Sequence, residues 1–176
     1  MMTAKSTSRK NNTVPLTCAC GKSIVPPSGP EKAPILIVGE FPGKEEMRSG
    51  QPFVGPAGMI LRSELNKVGI TLGECRVTNL SLHQFPDDPC WQLGLEQVIR
   101  EAKGRRAILL LGSECSKMLL KKPVTTISGL RVKSEYLDAP IVMATINPAA
   151  LITGTVGELR LTLQRFAKLV KKGKSK

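Results

Sequence analysis

Three short runs in this chain are apolar at nearly every position: residues 33–38, Ala107–Leu111 and residues 140–145. Unbroken apolarity over five or six residues, bounded by Gly, Pro or Asn, predicts strands buried on both faces of a parallel sheet. A shorter run, residues 75–78, predicts one more strand that ends at Asn79. Between these runs the apolar period lengthens. Met59, Leu61, Leu65 and Val68 mark one face of a helix that Gly69 ends, and Leu95, Val98 and Ile99 face inward from a helix over residues 91–103. Gly112-Ser113 caps a helix running through Met118 to Leu120, and a last helix covers residues 157–170. Residues 80–89 read as irregular, and residues 124–136 as a hairpin or an excursion along a sheet edge. Strands alternating with helices predict a three-layer α/β/α sandwich around a central four-stranded, mainly parallel sheet.

This layout has a chemical consequence. Glu40, Asn79, Ser113 and Asn147 each fall just past the carboxyl end of a predicted strand. Open parallel sheets bind ligands in the crevice at that end. Neighbouring strands would therefore bring these four polar groups to one place.

Length and charge narrow the partner. A chain of 176 residues fits one domain. We expect a disordered lead over residues 1–12, a single domain over residues 13–170 and a solvated basic tail over residues 171–176. With 26 Lys+Arg against 14 Asp+Glu, the formal net charge of +12 suits a polyanion. Aromatic residues make up 3% of the chain, too few for a long stacking platform, so nucleic acid would be held through its phosphates. No apolar run reaches the roughly twenty residues needed to span a bilayer, and the polar, basic first dozen residues lack the apolar stretch of a secretory signal. The expected location is the cytoplasm, where five cysteines stay reduced or bind metal.

The richest stretch is Gly39-Glu40-Phe41-Pro42-Gly43 followed by the run from Gly50 to Gly58, which holds Phe53 between glycines. A carboxylate, a turn proline and glycines at a strand end let backbone amides and one negative charge meet a bound ring, with Phe53 able to stack on it. Asn79 can donate and accept at once, matching the carbonyl and adjacent ring N–H of a pyrimidine such as uracil. With a basic surface, this points to a base flipped out of DNA. Cleaving its glycosidic bond requires a cation-like sugar and a departing base anion to be stabilised. Glu40 suits the first need and Asn147 the second.

These motifs, with Val77-Thr78-Asn79, Leu111-Gly112 and Asn147-Pro148-Ala149-Ala150-Leu151, resemble the family-4 uracil-DNA glycosylases over about residues 18–152. The resemblance implies excision of uracil from single- or double-stranded DNA, leaving an abasic site. It assigns catalysis to Glu40 and Asn147, and uracil binding to Gly39, Phe41, Gly43, Glu46, Phe53 and Asn79, with Glu46 placed to crowd a thymine methyl. The family carries His-Pro where this chain has Asn147-Pro148. An amide still donates, but charge-assisted donors are about twice as strong. A basic residue usual soon after this motif is Thr153 here. These two departures motivate the alternative of a catalytically weak or inactive DNA-binding module in a replication or repair assembly. A nucleotide-binding or base-modifying enzyme is a third reading. Uracil-containing DNA is the expected partner, with replication or repair proteins possible, and the chain is expected to be monomeric.

The resemblance also implies a 4Fe–4S cluster on four cysteines, whose positions match Cys18, Cys20, His83 and Cys90. Histidine replaces cysteine in some clusters. A Cys/Cys/His/Cys set equally suits tetrahedral zinc, or no metal if the cysteines only pack. Cys18-Ala19-Cys20 has one intervening residue where the family has two. Cys75 and Cys115 match no ligand position and read as packing residues.

Overall fold

The computed structural model describes residues 17–152 and 156–173. Its sheet has strands β1 (Ile35–Gly39), β2 (Arg76–Asn79), β3 (Ala107–Leu111) and β4 (Ile141–Thr145), all parallel, in the order β2-β1-β3-β4. Helices α1 (Lys44–Ser49) and α2 (Pro56–Lys67) connect β1 to β2, and α3 (Asp88–Ala102) connects β2 to β3. Then α4 (Ser113–Leu120) and α5 (Val124–Ile127) precede β4, and α6 (Gly157–Lys172) closes the fold. The last helix runs two residues into the stretch expected as tail. The proposed lead, residues 1–12, and Thr153 lie outside the described residues.

Strands β1, β3 and β4 each feed two cores because alternate side chains point to opposite faces. Ile35, Ile37, Leu109, Leu111 and Met143 pack with Leu61 and Leu65 of α2 and Leu163 and Phe166 of α6. Leu36, Val38, Ile108, Leu110 and Val142 pack on the other face with Val98 of α3 and Leu119 of α4. This is the expected three-layer sandwich. Helix α2 differs in one respect: Met59 is exposed, and the inward face is set by Gly58, Leu61, Glu64 and Leu65.

The chain starts at the inner strand β1, moves outward to β2, then returns past β1 to β3 and β4. The order therefore reverses between β1 and β3, and their carboxyl ends flank the crevice where such folds bind ligands. Both outer edges are covered. Ser28 in the leading loop exchanges backbone hydrogen bonds with Val77 at 2.9 Å each way, on the β2 edge. On the β4 edge, Gly129 and Val132 donate to Ala144 and Val142. Residues 124–136 thus form a short helical turn and an edge-covering loop instead of a hairpin, which removes the exposed strand edge that invites aggregation.

Candidate active site

The end of β1 is clamped from both sides. Leu80 and Ser81 donate backbone N–H groups to the carbonyls of Gly39 and Glu40 at 2.7 and 2.8 Å, which prolongs the β1–β2 pairing past the strands. The Glu40 side chain then crosses the reversal point. Its Oε1 accepts from the backbone N–H of Glu114 at 2.8 Å and from Ser113 Oγ at 3.4 Å, so a carboxylate from β1 caps the first turn of α4. The positive end of the helix dipole favours a negative charge there. Gly112 makes the approach possible: with φ of 104°, a β-carbon built on it would lie 2.4 Å from Glu40 Cδ.

Asn147 comes to the same carboxylate from the end of β4. Its Nδ2 donates to Glu40 Oε2 at 2.7 Å, and its Oδ1 accepts from Ala149 N at 2.9 Å. The second bond fixes which end of the amide is nitrogen. One N–H of Nδ2 is used, and the other has no partner among the described residues.

Phe53 and Asn79 meet at Gly39. A β-carbon built there would lie 2.4 Å from Asn79 Oδ1 and 2.9 Å from Phe53 Cζ, so only glycine lets both side chains close on the strand end. Asn79 is buried. Phe53 has φ of 57°, a left-handed backbone uncommon for an aromatic residue. Gly58 supports it, since a β-carbon at Gly58 would lie 2.1 Å from the Phe53 carbonyl oxygen.

The remaining motif residues have different surroundings. Glu46, on α1, is buried between Gly43 and Gly55. Its Oε1 accepts from Gly55 N at 2.7 Å, and a β-carbon on Gly43 would lie 2.6 Å from its Oε2. It thus braces the loop that carries Phe53. The Phe41 ring is 46% exposed and stands edge-on to Trp91 of α3, with centroids 6.5 Å apart, so whatever Phe41 offers the crevice comes from its backbone. Sequence reading missed α1, the Glu114 N–H and the close approaches that Gly112 and Gly58 permit. The glycines were visible as letters, but the partner of Gly112, Glu40, lies far along the chain, and Gly58 meets Phe53 only because the chain turns between them.

Cys18, Cys20, His83 and Cys90 form a second cluster, with their ligand atoms all within 4.8 Å of one another. Cys18 Sγ lies 3.7 Å from Cys90 Sγ, and Cys20 Sγ lies 3.3 Å from His83 Nε2. His83 Nδ1 is 2.8 Å from the Gln84 carbonyl. A carbonyl only accepts, so Nδ1 carries the proton and Nε2 presents its lone pair, the arrangement that orients metal-binding imidazoles. Asp87 Oδ1 accepts from Cys90 N at 3.0 Å and caps α3, which holds Cys90 in the first turn. A hydrogen bond from the Lys22 backbone holds the Cys20 thiol below its usual range. This group can hold a metal. Cys75 and Cys115 lie elsewhere, in the two cores, as packing residues do. Burial pushes the Cys75 thiol up to about 12 and that of Cys115 well above its usual value.

The chain is 45% identical to the type-4 uracil-DNA glycosylase of Archaeoglobus fulgidus over 146 residues, covering 73% of this chain and 71% of that protein. It is 31% identical to the enzyme of the same name from Saccharolobus solfataricus, covering 74% of this chain and 68% of the relative. A shorter match, 42% identical over 59 residues, covers 30% of the Pyrobaculum aerophilum type-4 uracil-DNA glycosylase. The family model for the uracil DNA glycosylase superfamily matches residues 26–171. That match takes in the whole sheet and both sides of the crevice, and the chain belongs to the uracil DNA glycosylase superfamily.

Proposed function

We propose that this protein is a DNA-repair glycosylase that flips uracil out of DNA and hydrolyses its N-glycosidic bond, leaving an abasic site. The observation that carries the reading is the convergence at the end of β1, where Phe53 and Asn79 meet over Gly39 while Glu40 and Asn147 are paired one residue further on. An aromatic face and a buried amide suit a planar pyrimidine, with Asn79 pairing to its carbonyl and ring N–H.

The roles follow from the hydrogen bonds. Glu40 supplies negative charge where the sugar becomes cation-like, and its oxygens keep lone pairs that can orient a water. Donors from α4 and Asn147 hold that carboxylate in position before the reaction begins, which is how preorganised electrostatic stabilisation works. The free N–H of Asn147 donates to the departing base as negative charge grows on it. The net charge of +12 supports binding to the phosphate backbone. One chain supplies every group named here, so the reading needs no second copy. No helix among the described residues is long and apolar enough to cross a membrane. The cytoplasm is the compartment this reading assigns, and replication or repair proteins are its further partners.

For the cofactor, the reading is a metal held by Cys18, Cys20, His83 and Cys90, outside the reaction itself. The resemblance favours a 4Fe–4S cluster and the donor set also suits zinc. The metal's contribution is to hold the leading loop against β2 and α3.

The test uses purified protein and a labelled uracil-containing single strand, followed by alkaline cleavage of abasic sites. Strand breaks should appear with the native chain and vanish with Asn79→Ala or Phe53→Ala. DNA binding without breaks, at stoichiometric protein and long times, would instead indicate a noncatalytic module.

A further inference from the structure

We infer that the Cys18/Cys20/His83/Cys90 site takes a single tetrahedral ion, zinc foremost, and not a four-iron cluster. A zinc with Zn–S of about 2.3 Å and Zn–N of about 2.0–2.1 Å separates two thiolates by about 3.8 Å and a thiolate from an imidazole nitrogen by about 3.5 Å. The corresponding distances are 3.7 Å for Cys18 and Cys90 and 3.3 Å for Cys20 and His83, with all four ligand atoms inside 4.8 Å. A four-iron cluster binds each ligand through a different iron and must fit irons and sulfides between them, so its ligands stand much further apart.

The local backbone fits the compact alternative. Cys18 N donates to Lys22 O and Gly21 N to Cys18 O, both at 2.8 Å, a tight turn that gathers Cys18 and Cys20. Gly21 takes φ of 84° in that turn, with nothing near its absent side chain. Three thiolates and a neutral imidazole with its other nitrogen hydrogen-bonded are a closed structural zinc set. The ion would join the leading loop, the loop after β2 and the start of α3, three segments otherwise linked by few backbone bonds.

Metal analysis tests this without reference to uracil, so its failure and the failure of the proposed reaction are distinguishable. Protein purified anaerobically from cells supplied with iron and zinc should be colourless and hold about one zinc per chain. Brown protein with iron and acid-labile sulfide in equal amounts, about four of each per chain, overturns the inference. So does protein that binds neither metal stoichiometrically. Cobalt(II) exchanged into the site should give the visible bands of a tetrahedral ion and a thiolate charge-transfer band, and a six-coordinate cobalt spectrum counts against the site. His83→Cys should keep one ion and strengthen the charge-transfer band. Cys20→Ser, at an exposed position that does not threaten the core, should weaken zinc binding by more than the roughly hundredfold that loss of a supporting hydrogen bond can cost. Unchanged affinity in that variant refutes the ligand set.

Discussion

Asn147 Nδ2 donates to Glu40 Oε2 at 2.7 Å across 107 positions of sequence, joining the ends of β4 and β1. The two residues are thus one unit: the amide orients the carboxylate, and the carboxylate fixes the amide so that its free N–H is directed before substrate arrives. Removing such a preorganised donor typically costs about 10²–10³ in rate. Asn147→Ala should lower single-turnover uracil release by that factor while DNA affinity changes little. Asn147→His restores a donor that becomes charge-assisted when protonated, and its rate should exceed that of the native chain, increasingly so toward low pH. Equal rates for all three proteins would remove Asn147 from the mechanism.

Gly39 makes a sharper demand on the pocket. Its missing β-carbon would sit 2.4 Å from Asn79 Oδ1 and 2.9 Å from Phe53 Cζ. Gly39→Ala therefore forces the Asn79 and Phe53 side chains apart, whereas an added methyl elsewhere in a packed region costs about 1–3 kcal/mol of stability. Excision should fall more than tenfold, with competition by free uracil weakened in parallel. Gly58→Ala should act on the same pocket through Phe53 alone, because its β-carbon meets the Phe53 backbone at 2.1 Å and touches nothing of Asn79 within the nearest contacts. Uracil inhibition constants for the two variants distinguish these routes.

Much of this site was legible from topology. Glu40, Asn79, Ser113 and Asn147 could be placed at strand ends because buried parallel strands announce themselves as apolar runs, and their ends are marked by Gly or Asn. Which polar tip touches which was not legible. That Glu40 caps α4 depends on β1 and β3 being neighbours, and no local pattern encodes strand order. Helix α1 was missed because six residues give too few turns for a periodic signal. Met59 was assigned inward although it stands two residues before Leu61, a spacing that puts the two on different sides of a helix, and it is exposed. Cys18, Cys20, His83 and Cys90 were grouped through family resemblance, and their spacing became available only in three dimensions.

Thiol chemistry should separate the cysteines into two classes. Cys75 and Cys115 are buried in the two cores with thiols pushed up, to about 12 for Cys75, so both lack thiolate and access at neutral pH. Cys90 is likewise buried with its thiol pushed up to about 12, so after chelation in native buffer alkylation should reach Cys18 and Cys20 and spare Cys75, Cys90 and Cys115 until denaturant is added. Peptide mapping of the labelled protein reads the result. Labelling of Cys115 before unfolding would mean that the end of β1, whose Gly39 carbonyl accepts from its thiol at 3.2 Å, opens in the native state.

The last prediction concerns the clamp between α2 and α6. Glu64, buried on α2, accepts from Arg160 Nε at 2.9 Å and Nη2 at 3.1 Å, and Lys67 also donates to it. The Arg160 hydrogen bonds, opposed by burial, bring its carboxyl from an ordinary 4.5 down to about 2. A carboxyl depressed on folding stabilises the native state above its unfolded pKa, and that contribution drains away as pH falls through the folded value. Arg160 is nearly half exposed, so the pair is worth about 1 kcal/mol, less than its geometry alone suggests. Glu64→Gln should therefore lower stability by about that amount at pH 7, and the difference from the native chain should shrink between pH 4.5 and 2. Urea titrations of both proteins across this window measure it. Because Glu64 lies nearly two turns along α2 beyond Gly58, the α2 residue that meets Phe53, the variant should leave uracil excision at neutral pH unchanged, which separates loss of the clamp from damage to the crevice.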